Sequence, residues 1–185
     1  MGDAKRPTPT LSQLMAAYQA GDSMAFESLY AQLSGPIHGY LRSLTRDGAR
    51  ADDLLQETFF HVHRARHTYD RARSAKAWIY AIAHNVFRMW RRGAGRLERH
   101  EAPAGDDVPD VPIPAEAEAF GARNLVRGAL ARLPVTQREA LLLHHVYGLS
   151  FREIGEVQGT TALAAKLRAH RGMVGLRTLL GGEKG

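Results

Sequence analysis

The chain has 185 residues, 44% of them hydrophobic and 24% charged, with a net charge of +6 at neutral pH and no cysteine. That is apolar material for one or two small cores, and it excludes disulfides, thiolate metal sites and cysteine nucleophiles outright. The basic balance, dominated by arginine, favours a polyanionic partner, nucleic acid or an anionic membrane surface, because guanidinium groups fork phosphate bidentately.

No run of 18 apolar residues occurs and the opening MGDAKRPTPT lacks an apolar leader segment, so neither membrane insertion nor export is expected, and a reducing cytoplasm fits. In chain order, Thr10 precedes an apolar stripe at Leu11, Leu14, Met15 and Tyr18 that Gly21-Asp22 terminates, which predicts a short helix. Phe26, Leu29, Tyr30 and Leu33 repeat the pattern up to Gly35-Pro36. Ile37, Tyr40, Leu41 and Leu44 repeat it again up to Asp47-Gly48, so two more helices are expected with a break between them. No stretch alternates with period two for long enough to suggest a sheet. The N-terminal domain reads as an all-α bundle.

From Ala51 to Asp70 the inward stripe is Leu55, Phe59 and Val62, while Asp52, Asp53, Gln56 and Glu57 cluster on the opening turns. Carboxylates there complement the positive end of the helix dipole. An exposed acidic and amide face on a basic protein also suits docking to a basic protein partner. Tyr69 to Lys76 has no apolar period and reads as a loop carrying Arg71, Arg73 and Lys76.

On the next helix, Ala77 to Arg92, a helical wheel puts Trp78, Ile79, Ile82, Ala83, Val86, Met89 and Trp90 on an inward arc. His84, Arg88, Arg91 and Arg92 lie opposite, with Asn85 at the seam. Between Asp70 and Arg99 eight basic residues face two acidic ones, which accounts for a net charge as large as that of the whole protein. Cations interleaved with Tyr69, Trp78, Phe87 and Trp90 suit single-stranded or opened DNA, although the two tryptophans fit the core better.

Gly93-Ala94-Gly95 is expected to end this helix. Glu101 to Phe120 then holds six acids, no basic residue and four prolines, the composition of an unfolded spacer that reaches roughly 60–80 Å if extended. Such an anionic strand between two basic domains could also occupy a cationic channel meant for nucleic acid. Beyond it, Phe120 to Leu133 reads as a helix closed by Pro134, and Thr136 to Glu139 as a capping box opening another. Ser150-Phe151-Arg152-Glu153 is a second capping box for a short helix with Phe151, Ile154 and Val157 inward. Gly159-Thr160 is a turn, and Thr161 caps a longer helix from Ala162 to about Leu180. Short helix, glycine-bearing turn and longer helix is the helix-turn-helix pattern.

Together these blocks resemble the bacterial sigma factors of the extracytoplasmic-function (ECF) group. AFESLYAQL, ADDLLQETFF, KAWIYAIAHNVFRMWRR, LARLPVTQREALLL and GLSFREIGEVQG are each similar to the family pattern, in its order and spacing. The resemblance implies an all-α protein of two small helical domains, an N-terminal bundle over 1–95 and a helix-turn-helix domain over 119–185, joined by a flexible acidic linker over 96–118. It implies binding to core RNA polymerase through Asp52, Asp53, Leu54, Gln56, Glu57 and Phe59. Opening of the promoter −10 region would fall to Tyr69, Arg71, Arg73, Lys76, His84, Asn85, Arg88, Arg91 and Arg92. Recognition of the −35 major groove would fall to Thr161, Lys166, Leu167, Arg168, His170 and Arg171, with Arg152 a phosphate contact.

The expected partners are core polymerase, promoter DNA and an anti-sigma protein that sequesters the factor at the inner membrane face. No cofactor, metal, catalytic residue or small-molecule substrate is expected. Gln158, the Thr160-Thr161 pair, and the small Ala165 and Ala169 depart from the family pattern and predict a looser hairpin. Gly172 and Gly175 mark close packing or a partner surface. Three rival readings stand beside this one. A stand-alone helix-turn-helix regulator of duplex DNA leaves the acidic face unused. An RNA-binding module fits the aromatic and basic mixture. A metal-dependent enzyme would rest on His63 and His67, or on His144-His145, without an accompanying ligand set.

Overall fold

A computed structural model describes residues 9–97 and 117–181, so most of the expected linker, with its anionic strand, lies outside the described residues. Those residues form eight α-helices and no strand: α1 (Leu11–Gln19), α2 (Ser23–Thr45), α3 (Gly48–Ala65), α4 (Ala75–Leu97), α5 (Ala117–Arg132), α6 (Val135–His145), α7 (Phe151–Gln158) and α8 (Ala162–Gly181). A single 3-10 turn, Arg66–Thr68, follows α3. The all-α class and the two helical regions stand as expected.

Thr10 caps α1 in a reciprocal box with Gln13, and Asp22 and Asp47 cap α2 and α3. The expected break at Gly35-Pro36 is absent, because α2 runs straight through Pro36. The missing N–H and ring clash cost about 3 kcal/mol. Against that, Leu29, Leu33, Ile37, Tyr40, Leu41 and Leu44 are all buried on one face, at roughly 1.5–3 kcal/mol for each large side chain. Gly35 and Pro36 themselves face solvent. α4 likewise continues through Gly93–Gly95 to Leu97, since glycine lowers helix propensity by about 1 kcal/mol without forbidding a helix.

α6 departs from expectation at its start. Pro134 is the N-cap, its carbonyl accepting from the amides of Gln137 and Arg138, and no side chain caps the helix. Thr136 is therefore already inside the first turn. Glu139, expected to close a capping box, is buried elsewhere.

The two helical regions are packed together. One continuous cluster of buried side chains runs from Met15, Leu29 and Ile37 through Tyr40 and Tyr80 to Leu143, Leu149, Ile154 and Val157. At the junction Tyr40, Tyr80 and Tyr147 form an aromatic triangle with ring centroids 5.4, 6.1 and 5.2 Å apart. The chief seam is α4 against α7, with α2 touching α6.

Candidate functional site

The outer face of α3 carries Asp52, Asp53, Gln56 and Glu57, all exposed. Their neighbours are only loosely held: His38 is 3.1 Å from Asp52, Arg50 3.2 Å from Asp53 and His61 3.6 Å from Glu57. Pairs this exposed contribute little to stability, so the carboxylates are free to meet a partner. Leu54 and Phe59 are corrections. They are 2% and 5% exposed and packed into the bundle core, Phe59 on the inward stripe expected of it, so neither side chain forms the exposed acidic face. The apolar residue on the acidic face is Phe60, 56% exposed, which the sequence reading missed. Its spacing of i+4 from Gln56 and i+3 from Glu57 puts it on their face.

Tyr69 is the next correction. It is 3% exposed, its ring packs on Trp78 and its hydroxyl donates to the Arg73 carbonyl at 2.7 Å, so it braces the loop from inside. Arg71 Nε donates to Gln19 Oε1 at 2.7 Å, while Gln19 Nε2 donates to the Tyr69 carbonyl at 2.9 Å. Arg73 turns toward the second module and pairs with Glu156 at 3.0 Å. Lys76 is half-buried beside Glu153. Burial pushes the Glu153 carboxyl up, but hydrogen bonds from Ser150 and Ser74 and the Lys76 charge outweigh it and hold it below the usual range.

On α4 Asn85, Arg88, Arg91 and Arg92 are exposed, as expected, and so is Met89, which was expected to face inward. His84 belongs to the opposite class: it is 6% exposed and its Nδ1 lies 2.5 Å from Glu139 Oε1. Tyr80 and Phe87 are buried with it. The buried surface of α4 is wider than the predicted arc because α7, with Glu139 of α6, covers a second flank. Tyr69 and Phe87 are thereby withheld from base stacking, while Trp78 and Trp90 pack partly buried against the core.

The second module forms the expected helix-turn-helix. Ser150 and Glu153 make a reciprocal capping box, Gly159 closes α7 in the left-handed region at φ 62°, and Thr161 Oγ1 accepts from the Ala164 amide at 3.1 Å. The hairpin is tight rather than loose. A Cβ on Gly155 would stand 2.8 Å from the Thr160 carbonyl oxygen, and Ala165 and Ala169 are buried against α6 and α7. Small residues are what permit that approach. Gly172 and Gly175 serve packing in the same way, against the Gln137 backbone and Leu133. Thr161 is exposed just before α8, Lys166, Leu167, His170 and Arg171 are exposed on α8, and Arg152 is exposed on α7. Arg168 is half-buried, with Nη1 donating to Gln158 Oε1 at 2.9 Å.

That last bond belongs to a buried polar network. Glu139 is 3% exposed; its Oε1 accepts from the Tyr40 hydroxyl and meets His84, and its Oε2 accepts from Gln158 Nε2 at 2.8 Å. One carboxylate thus ties α2 and α4 to α6 and α7. Burial, then the Glu139 charge and hydrogen bond, push the Tyr40 hydroxyl well above its ordinary range. Nearby, burial and the adjacent Arg46 lower the Arg138 guanidinium to about 10 despite Glu139. Gln158, a departure from the family pattern, is the polar link that this network needs.

Of the histidines considered for metal, His63 and His144 are engaged elsewhere, His144 Nδ1 lying 2.9 Å from the Leu149 carbonyl oxygen. His63 Nδ1 lies 2.5 Å from the Tyr18 hydroxyl, and among the described residues no group of three potential ligands converges.

Comparison with known proteins agrees with this architecture. The family described as Sigma-70 region 2 matches residues 29–97, and that described as Sigma-70, region 4 matches residues 123–174. RNA polymerase sigma factor CarQ of Myxococcus xanthus is 36% identical over 167 residues, 90% of this chain and 95% of CarQ. ECF RNA polymerase sigma factor SigF of Caulobacter vibrioides is 33% identical over 172 residues, 90% of this chain and 91% of SigF. In fold, the chain is similar to the sigma factor RpoE solved with the anti-sigma factor NepR from Bartonella quintana, with a TM-score of 0.74, 23% identity and coverage of 84% and 96%. It is also similar to CnrH solved with the cytosolic domain of CnrY, with a TM-score of 0.70, 24% identity and coverage of 94% and 98%. With both sigma-70 regions matched in order and relatives aligned along nine-tenths of its length, the chain belongs to the ECF group of RNA polymerase sigma factors.

Proposed function

We propose that this sigma factor docks on core RNA polymerase through the outer face of α3, opens the promoter −10 region with α4, and reads the −35 element with α8. Residues 1–95 and 119–185 act as two grips, and 96–118 is the tether between them. The observation that carries this reading is the separation of charge on one rigid scaffold. Exposed Asp52, Asp53, Gln56 and Glu57 occupy α3, and exposed Asn85, Arg88, Arg91 and Arg92 occupy the next helix. A protein partner and a polyanion can be held at once.

The docked arrangement is a resting form. Duplex DNA rises about 3.4 Å per base pair, so grips on elements roughly 25 base pairs apart stand about 85 Å apart. The 19 residues between α4 and α5 reach about 65 Å if fully extended, so the modules must part before both elements are held. By likeness to RpoE, solved with an anti-sigma factor, an anti-sigma protein is the expected inhibitor, and it favours the docked form. The factor works in the cytoplasm, without cofactor or catalytic residue of its own.

Gel filtration with purified core polymerase followed by run-off transcription tests the reading. The chain co-elutes with core and starts transcripts at a defined promoter, and Asp53→Arg combined with Gln56→Ala abolishes co-elution. Undiminished co-elution of that variant refutes the α3 assignment, and promoter-duplex binding without polymerase favours a stand-alone regulator. Asn85→Ala lowers permanganate reactivity of −10 thymines more than it lowers closed-complex binding; equal reactivity refutes the α4 assignment.

A further inference from the structure

Where α4 meets the second module a cleft of about 290 Å³ opens, lined by His84, Arg88 and Arg91 from α4 and by Thr136, Glu139 and Arg168 from the other side. Three guanidinium groups converge on it from two modules. Among the described residues no carboxylate pairs with Arg88 or Arg91, and Arg168 gives only one Nη1 bond to Gln158. The single carboxylate present, Glu139, already has both oxygens engaged by Tyr40, His84 and Gln158.

The wall of the cleft is equally specific. The His84 side chain is 8% exposed, its Nδ1 faces Glu139, and its Nε2 is buried with no hydrogen-bond partner. A buried ring nitrogen left without a partner needs an explanation, and the ring that carries it lines this cleft. α6 begins beside it with no side chain capping its first turn, so the positive end of that helix also opens here.

We propose that this cleft binds a small oligophosphate, of the kind borne by nucleotides, which bridges α4 and α8 and holds the two modules docked. Arginine forks match phosphoryl oxygens, and three of them with an imidazole suit two or more phosphates better than one carboxylate-bearing metabolite. The volume sits at the small end of ligand sites, which run from roughly 300 Å³ upward, and favours a compact anion over a nucleic-acid strand. Because both modules supply the walls, the site exists only in the docked chain, and its ligand stabilises that form by mass action. Only the regulatory consequence rests on the sigma-factor reading above; the site itself does not.

Isothermal titration of the full chain with inorganic pyrophosphate at low salt tests it. One saturable site is expected, with Arg91→Gln and Arg168→Gln each weakening it about tenfold, while Arg177→Gln, on an exposed α8 side chain outside the cleft, leaves it unchanged. Pyrophosphate also raises the thermal unfolding midpoint of the parent chain and leaves that of Arg168→Gln in place. A nucleoside triphosphate titrated in parallel separates recognition of the phosphates alone, at equal affinity, from recognition of a nucleotide, at higher affinity. Either result supports the proposal. Absence of a saturable site, or equal weakening by Arg177→Gln, overturns it. So does a short single-stranded DNA that needs Arg91 and Arg168 while pyrophosphate does not bind. Core-polymerase co-elution is scored separately, so failure of the ligand site leaves the docking assignment intact.

Discussion

α3 and α4 carry the two outward faces of the first module, yet they are covered differently. α3 packs on α2 and α4 and leaves its acidic side to solvent, whereas α4 has the first module on one flank and α7, with Glu139 of α6, on the other. A helix buried along one stripe follows its amphipathic pattern, so the exposed residues can be found by subtraction. A helix covered on two flanks hides polar residues as well, provided that distant elements bring their partners. His84 is buried because Glu139, 55 positions later, meets it.

The sharpest way to break this comparison is Tyr80→Ala. Tyr80 is wholly buried at the junction, and its loss is expected to cost about 3–5 kcal/mol in urea unfolding. Fluorescence from Trp78 and Trp90, both in α4, and far-UV circular dichroism from all helices are expected to shift together. Separate transitions would mean that the modules fold independently and that the shared core is marginal.

Glu139→Ala comes next. Removing the carboxylate leaves His84 and the Tyr40 hydroxyl without their acceptor and the Gln158 amide with the Thr136 carbonyl alone, at about 3 kcal/mol. The radius of gyration in solution scattering is expected to rise as α4 parts from α7. An unchanged radius would show that the aromatic triangle alone holds the junction.

The third effect depends on pH. Burial raises the hydroxyls of Tyr40, Tyr80 and Tyr147 above their ordinary value of 10.0. These groups ionise more readily unfolded than folded, so their contribution to stability is intact below pH 10 and is lost as pH rises past it. Of the six tyrosines, these three are expected to titrate at 295 nm only as the chain unfolds. Titration of these three before unfolding would place the junction in contact with water. The smallest effect belongs to α3. Asp53→Arg is expected to change stability by no more than about 0.5 kcal/mol, because its only pairing is exposed. A larger loss would show that the acidic face is structural.

The same contrast explains what was legible in the sequence. Local signals read correctly: the short helix that follows Thr10, the Ser150–Glu153 box, Gly159 at the turn, Thr161 as a cap, and the exposed carboxylates of α3. Each depends on residues within four positions. Errors fell where tertiary contacts overrode local preference. Pro36 sits inside a helix because six large side chains on one face hold the flanking turns together. Leu54 and Phe59, taken as contact residues from a family pattern, anchor the face that they do not form. Thr136 and Glu139 have capping-box spacing, but Pro134 starts the helix earlier and the carboxylate turns to Tyr40 and His84.

Glu139 also governs how sequence variation in this protein combines. Because donors on three different helices share its two oxygens, the effects of changing Tyr40, His84 and Gln158 are not independent. Once one donor has gone, the next loss is felt against an already altered carboxylate. Epistasis is therefore concentrated at a few positions far apart along the chain, and suppressors of a defect at Tyr40 should be sought in α4 and α7 rather than among its neighbours in α2.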